Sequence, residues 1–226
     1  MKYTIRGDDL QVVDIQLELG ESMVSEAGGM AWKSPSVRMD TQMPGGLFGG
    51  LARSFAGESL MLSYYHCEEA AGLVAFASEL PGKIVPMALA AGEAIIAQKD
   101  AFMCAEASVE LSIHWQRRLG AGIFGGEGFI LEKVTGPGNA FFELAGEITP
   151  YTLAAGQKLQ VAPGHVAMFD PSVDFDIELI KGLKNIFFGG QGFFLATLTG
   201  PGRIWLQSMP IANLAARLMP YLPQRG

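Results

Sequence analysis

The chain has 226 residues, of which 49% are apolar and only 17% charged, so it is not a disordered chain and can bury a large core. Its 29 glycines and 12 prolines point to many turns between short strands. The formal net charge of −7 works against binding a phosphate backbone, and Cys67 and Cys104 offer neither CxxC spacing nor a disulfide framework, as expected in a reducing cytosol.

In chain order, the opening Met1-Lys2-Tyr3-Thr4-Ile5-Arg6-Gly7-Asp8-Asp9 has no apolar run of the secretory kind, and the expectation is a cytoplasmic protein. Leu17, Gly20, Glu21, Gly28 and Pro35-Ser36-Val37 then set out a pattern that returns downstream. Pro44-Gly45-Gly46-Leu47-Phe48-Gly49-Gly50-Leu51 follows. Two bulky apolar residues between glycine pairs make a loop tip suited to docking, and Leu47 and Phe48 are candidate interaction residues for a neighbouring subunit, a protein partner or a membrane surface. Phe55 to Leu62 is a weaker copy of a block that returns at Phe124 and Phe188, with a Cys67–Gly72 turn in place of the Thr-Gly-Pro-Gly found there.

The most apolar stretch, Ile84 to Ala97, contains Pro86, Gly92 and Glu93 and is too short to cross a bilayer as a helix. Val109, Leu111 and Ile113 alternate with Glu110 and Ser112, which predicts a half-buried strand. Trp115, Arg117 and Arg118 form the most basic-aromatic spot and are also candidate interaction residues. Phe129-Ile130-Leu131 and Phe141-Phe142-Glu143-Leu144 are short apolar runs bounded by glycine, as core strands of a sandwich are. Gly136-Pro137-Gly138 between them predicts a tight turn. Val173, Phe175 and Ile177 alternate with Asp174, Asp176 and Glu178 in a further half-buried strand. Only the end reads as helix: Ile211, Leu214, Ala215, Leu218 and Met219 recur at helical spacing after Pro210, and Pro220 and Pro223 stop it.

These elements repeat. Phe124 to Gly138 and Phe188 to Gly202 are identical at ten of fifteen positions, both ending in Thr-Gly-Pro-Gly. Leu89-Ala90-Ala91-Gly92-Glu93 matches Leu153-Ala154-Ala155-Gly156-Gln157, and the same spacing to Ser-Val occurs from Leu17 to Val37. In this register Val37, Val109 and Val173 are equivalent, as are Gly57, Gly126 and Gly190. The expected architecture is one mainly β domain, 1–226, with three repeats at 43–115, 116–181 and 182–226 plus 1–42. The third repeat is split between the termini, so the chain either closes on itself in a pseudo-threefold arrangement or exchanges terminal strands between subunits.

Other chemistry-bearing residues read as structural. His66, His114 and His165 show no metal-ligand spacing. Gly120, Gly122 and Gly125 spell GxGxxG, but a strand follows where a dinucleotide site needs a helix. Asp174, Asp176 and Glu178 read as a solvated strand face, Ser36, Ser108 and Ser172 as turn hydroxyls, and the cysteines as small buried hydrophobes. No catalytic, metal or cofactor residue is designated.

Glu58 after Gly57, the Gly126-Glu127-Gly128-Phe129 and Gly190-Gln191-Gly192-Phe193 turns and the two Thr-Gly-Pro-Gly turns resemble the altered-inheritance-of-mitochondria protein 24 family over nearly the whole chain. The resemblance implies a shortened double-stranded β-helix, related to the fold of the tryptophan RNA-binding attenuation protein, that builds rings. Eukaryotic members are associated with mitochondrial inheritance and membrane organisation, and this chain looks like a bacterial cytosolic member. The resemblance carries over no catalytic residue, and the distant relative's RNA and tryptophan sites match no motif here. The functional expectation is a non-enzymatic homo-oligomeric scaffold, with a trimer favoured. An RNA- or small-ligand-binding ring is the alternative, and an enzyme ranks third.

Overall fold

The computed structural model describes residues 1–42, 62–117, 128–179 and 194–221. They form four antiparallel sheets, short 3-10 turns and one α-helix. The first sheet has the order β1 (Lys2–Arg6), β2 (Val12–Leu17), β7 (Gly72–Ala77), β4 (Met30–Lys33). The second runs β5 (Val37–Gln42), β6 (Leu62–Cys67), β3 (Ser22–Glu26), β10 (Phe102–Glu106), β13 (Gly138–Ala145), β8 (Gly82–Leu89). The third runs β11 (Glu110–Arg117), β12 (Phe129–Thr135), β9 (Ala94–Gln98), β16 (Val166–Phe169), β19 (Gly202–Gln207), β14 (Ile148–Leu153). The fourth is β15 (Lys158–Val161), β18 (Phe194–Thr199), β17 (Asp174–Leu179). The helix α1 spans Ile211–Leu218, close to the range its periodicity predicts.

One apolar core lies between each pair of successive sheets. Val13, Ile15 and Phe76 of the first sheet meet Met23, Tyr65 and Phe141 of the second. Val24, Phe102 and Phe142 of the second meet Ile95, Leu111 and Met168 of the third. Ile96, Phe129 and Phe169 of the third meet Val173, Ile177 and Leu198 of the fourth. The middle sheets are therefore covered on both faces, which explains their continuous apolar runs. Phe141 and Phe142 are chain neighbours that point to opposite faces of one strand and enter different cores. On β17 the alternation survives, because only one face is covered: Ile177 is buried while Asp174, Asp176 and Glu178 are exposed.

Identical bonds recur at three places. The backbone N–H groups of Glu18, Ala90 and Ala154 donate to the side-chain oxygens of Glu21, Glu93 and Gln157 at 2.9, 3.0 and 2.9 Å. Those of Val37, Val109 and Val173 donate to the carbonyls of Ser34, Glu106 and Asp170. The side chains of these last three residues accept from the N–H groups of Leu73, Asn139 and Arg203 at 3.0, 3.0 and 2.8 Å. Ser, Glu and Asp share little beyond an oxygen acceptor within reach, so sequence identity does not reveal this contact. Gly138 and Gly202 turn at φ +141° and +148° after cis Gly136–Pro137 and Gly200–Pro201 peptides.

Strand pairing takes a different frame from the one expected. Strands β1 to β5 bond only to one another and to β6, β7 and β10, while β18 and β19 bond to β14 through β17. No pairing joins the strands of residues 1–42 to those of 194–207. In a tandem array any point can serve as the repeat boundary in sequence, and hydrogen bonding alone decides which strands make a unit. Each core also draws on strands beyond its neighbours in sequence: Phe141 of β13 enters the core of the first sheet, and Ile96 of β9 that of the fourth.

Candidate functional site: two open sheet edges

The second and third sheets are each held together by one central seam. In the second, β10 pairs with β3, placing Cys104 opposite Ser25 and Ala105 opposite Val24. In the third, β16 pairs with β9, placing Met168 opposite Ala97 and Phe169 opposite Ile96. In the repeat register, β4 holds the place of β10 and β16, and β15 that of β3 and β9. Yet β4 and β15 are not paired: one ends the first sheet and the other ends the fourth. Among the described residues, each has a strand neighbour on one side only, and its other side presents a row of backbone N–H and C=O groups.

The side chains around these edges differ in kind. On β4, Trp32 is 49% exposed, and Lys33 donates from Nζ to the Val37 carbonyl at 2.6 Å. On the fourth sheet, Lys158, Gln160, Asp174, Asp176, Glu178, Thr197 and Thr199 line a shallow outward depression. Gln160 stands there where the other two sheets have Val24 and Ile96, both buried in a core.

The expected interaction residues are dispersed. Leu47, Phe48 and Arg118 lie outside the described residues, as does the GxGxxG run. Trp115 belongs to the core: its indole packs edge-on against Phe129 and Phe175, with centroids 6.2 and 5.3 Å away. Arg117 reaches from β11 to β17, where Nη1 donates to the Ile177 carbonyl. Both residues tie the third and fourth sheets together, with Arg117 exposed and Trp115 half-buried.

The histidines stand apart. His66 on β6 faces Asp40 and Glu68 at 3.6 and 3.4 Å. Burial, helped by the Lys133 charge, lowers the pKa of His114. The Nδ1 of His165 lies 2.8 Å from the Gln207 carbonyl and its Nε2 lies 3.4 Å from the Asn213 side chain, so this ring links β19 to α1. Among the described residues, no group of three or more His, Cys, Asp or Glu is arranged to hold a metal ion. Both cysteines are free thiols, and burial pushes both pKa values up, Cys104 strongly. Ser36, expected to bond within its own turn, instead donates to the distant Ala71 carbonyl at 3.1 Å.

One buried acid is absent from the sequence reading. Glu132 of β12 is 0% exposed, and burial, reinforced by the charge of Glu26, pushes its pKa up to about 9 against the opposing charge of Lys99. At neutral pH it is a neutral carboxylic acid. At the other end of the chain, Ile211, Leu218, Met219 and Tyr221 leave apolar surface exposed on and after α1. No helix among the described residues is long and apolar enough to cross a membrane.

The family model for mitochondrial biogenesis AIM24 matches residues 3–209. The chain belongs to the AIM24 family. An uncharacterized protein of Streptococcus pyogenes serotype M6 is 30% identical to this AIM24 chain over 233 aligned positions, covering 99% of the chain and 92% of the relative. A Streptococcus pyogenes protein solved by X-ray crystallography in a structural genomics programme superposes with a TM-score of 0.77 at 26% identity, covering 98% of this chain and 99% of that one. Both likenesses extend over the whole β assembly, including β4 and β15.

The sequence contained a signal for the open edges that motif reading passes over. Trp32 sits where the repeat register puts Cys104 and Met168, both 0% exposed. A bulky aromatic residue at a position buried in the other copies leaves a large apolar side chain half in solvent beside the edge.

Proposed function

We propose that this AIM24 protein is a non-enzymatic homo-oligomeric scaffold, acting in the cytoplasm, in which each chain contributes three β-rolls of the shortened double-stranded β-helix type to a ring. The observation that carries this reading is the pair of open edges, β4 and β15, whose counterparts inside the chain are joined. An unpaired edge is a template for another strand, and proteins that stay monomeric blunt or cover such edges. A heterologous contact of this kind closes into a ring when its rotation permits, and three chains give the smallest ring with threefold symmetry. The acidic row Asp174, Asp176 and Glu178 beside one edge works against a phosphate backbone, so the RNA-binding ring gains no support from this surface.

Sedimentation velocity and light scattering on the full chain test the proposal. A ligand-independent trimer is expected at micromolar concentration. A chain that remains monomeric up to about 100 μM, a concentration at which weak specific contacts already register, removes the scaffold reading.

A further inference from the structure

We infer that β15 of one copy pairs antiparallel with β4 of a second copy, placing Val161 opposite Trp32 and Gln160 opposite Lys33. This inference rests on the oligomeric reading above and specifies its interface. Joined in this way, the fourth sheet of one chain and the first sheet of the next run β17-β18-β15-β4-β7-β2, with β1 outermost. That is the strand order of the second sheet, β5-β6-β3-β10-β13-β8, and of the third, β11-β12-β9-β16-β19-β14. The contact between chains would thus repeat one that the chain already makes twice within itself.

The register follows from those internal seams. Trp32 holds the place of Cys104 and Met168, which face Ser25 and Ala97, and Val161 holds the place of Ser25 and Ala97. Lys33 holds the place of Ala105 and Phe169, which face Val24 and Ile96, and Gln160 holds the place of those two.

The strand is also shaped for the contact. The ladder of β10 against β13 shifts between Phe102 and Cys104, and that of β16 against β19 shifts between Val166 and Met168. The ladder of β4 against β7 shifts at the matching place, between Met30 and Trp32. A bulge bends its strand and re-aims the side chains beyond it. In β10 and β16 this bend accompanies the seam to β3 or β9, and β4 carries it with its far side open.

Burial agrees with this partner. Trp32 is 49% exposed where Cys104 and Met168 are 0% exposed, so the single chain leaves an aromatic anchor uncovered at the centre of the inferred seam.

Cysteine pairs in the full chain test the register. Adjacent pairs in an antiparallel ladder alternate between close and wide Cα separations, so the Trp32→Cys/Val161→Cys and Lys33→Cys/Gln160→Cys chains are both made. Mild oxidation should convert at least one of them into covalent multimers on a non-reducing gel, while each single substitution stays one chain long. Coexpressed Lys33→Cys and Gln160→Cys chains, or the corresponding Trp32 and Val161 singles, should give a covalent dimer. As a second measure, Trp32→Glu should weaken assembly at least tenfold with the thermal transition of the chain preserved, since Trp32 is exposed in the single chain. A crosslink confined within one chain, or an oligomer that neither pair links and Trp32→Glu leaves intact, overturns the inference. The unlinked oligomer leaves the scaffold reading standing, whereas a monomer removes both.

Discussion

Replacing Glu132 by glutamine should stabilise the protein, and by an amount that grows with pH. The native carboxyl holds its proton up to about pH 9, whereas an unfolded glutamate releases it near the reference value of 4.5. Below 4.5 both states are protonated and burial of Glu132 carries no titration cost. As pH rises above 4.5 the unfolded chain gains an ionised form that the native interior refuses, so the native state loses stability until the pH reaches the folded pKa. Each pH unit in that window costs about 1.4 kcal/mol, which makes the penalty on the order of 3 kcal/mol at pH 7. Glutamine keeps the size and polarity of the neutral acid and removes the titration. Urea unfolding of the wild-type and Glu132→Gln chains at pH 4.5, 6, 7 and 8 measures the difference, in which the Glu26 carboxyl, whose charge acts on Glu132, also takes part while groups away from this pair cancel. The expected result is near equality at pH 4.5 and a widening advantage for the variant up to pH 8. A difference that does not change with pH, or a variant less stable than wild type at pH 7, would refute the placement of this carboxyl in an interior that keeps it neutral.

Trp115→Ala should cost about 3 kcal/mol of stability, read by denaturant titration, because its indole packs on Phe129 and Phe175, and the native oligomer should keep its size. Gly138→Ala should cost about 2 kcal/mol in the same assay, since a Cβ there, at φ +141°, falls 2.8 to 2.9 Å from Glu106 Oε2, Ser108 Oγ and Val109 Cγ2.

Much of the strand content was legible because both β patterns are local. Alternation along Val173 to Glu178 reports one covered face, and runs such as Phe129-Ile130-Leu131 report two. The helix over 211–218 was legible from spacing and bounding prolines. The structural role of Trp115 and Arg117 was not legible, for a physical reason. Indole and guanidinium groups serve a core seam as well as a binding surface, and only the position of Phe175 and the Ile177 carbonyl, some sixty residues away, decides which. Glu132 was passed over because a lone acid after an apolar run reads as a strand end, until Glu26 and the second sheet cover it.

The sequence by itself determined the three-copy register, through identities at turns whose geometry tolerates few residue types. The turn bonds at Val37, Val109 and Val173 are the local expression of that pattern. Only the tertiary structure decided where each unit begins and ends, because a tandem repeat looks the same from any starting point and hydrogen bonds do not. It placed β2 with β7 instead of with the C-terminal strands, and it left β4 and β15 at opposite limits of the sheet stack. An edge is a property of what lies beside a strand, and the residues of Met30–Lys33 point to an open side only when Trp32 is set against its buried counterparts Cys104 and Met168.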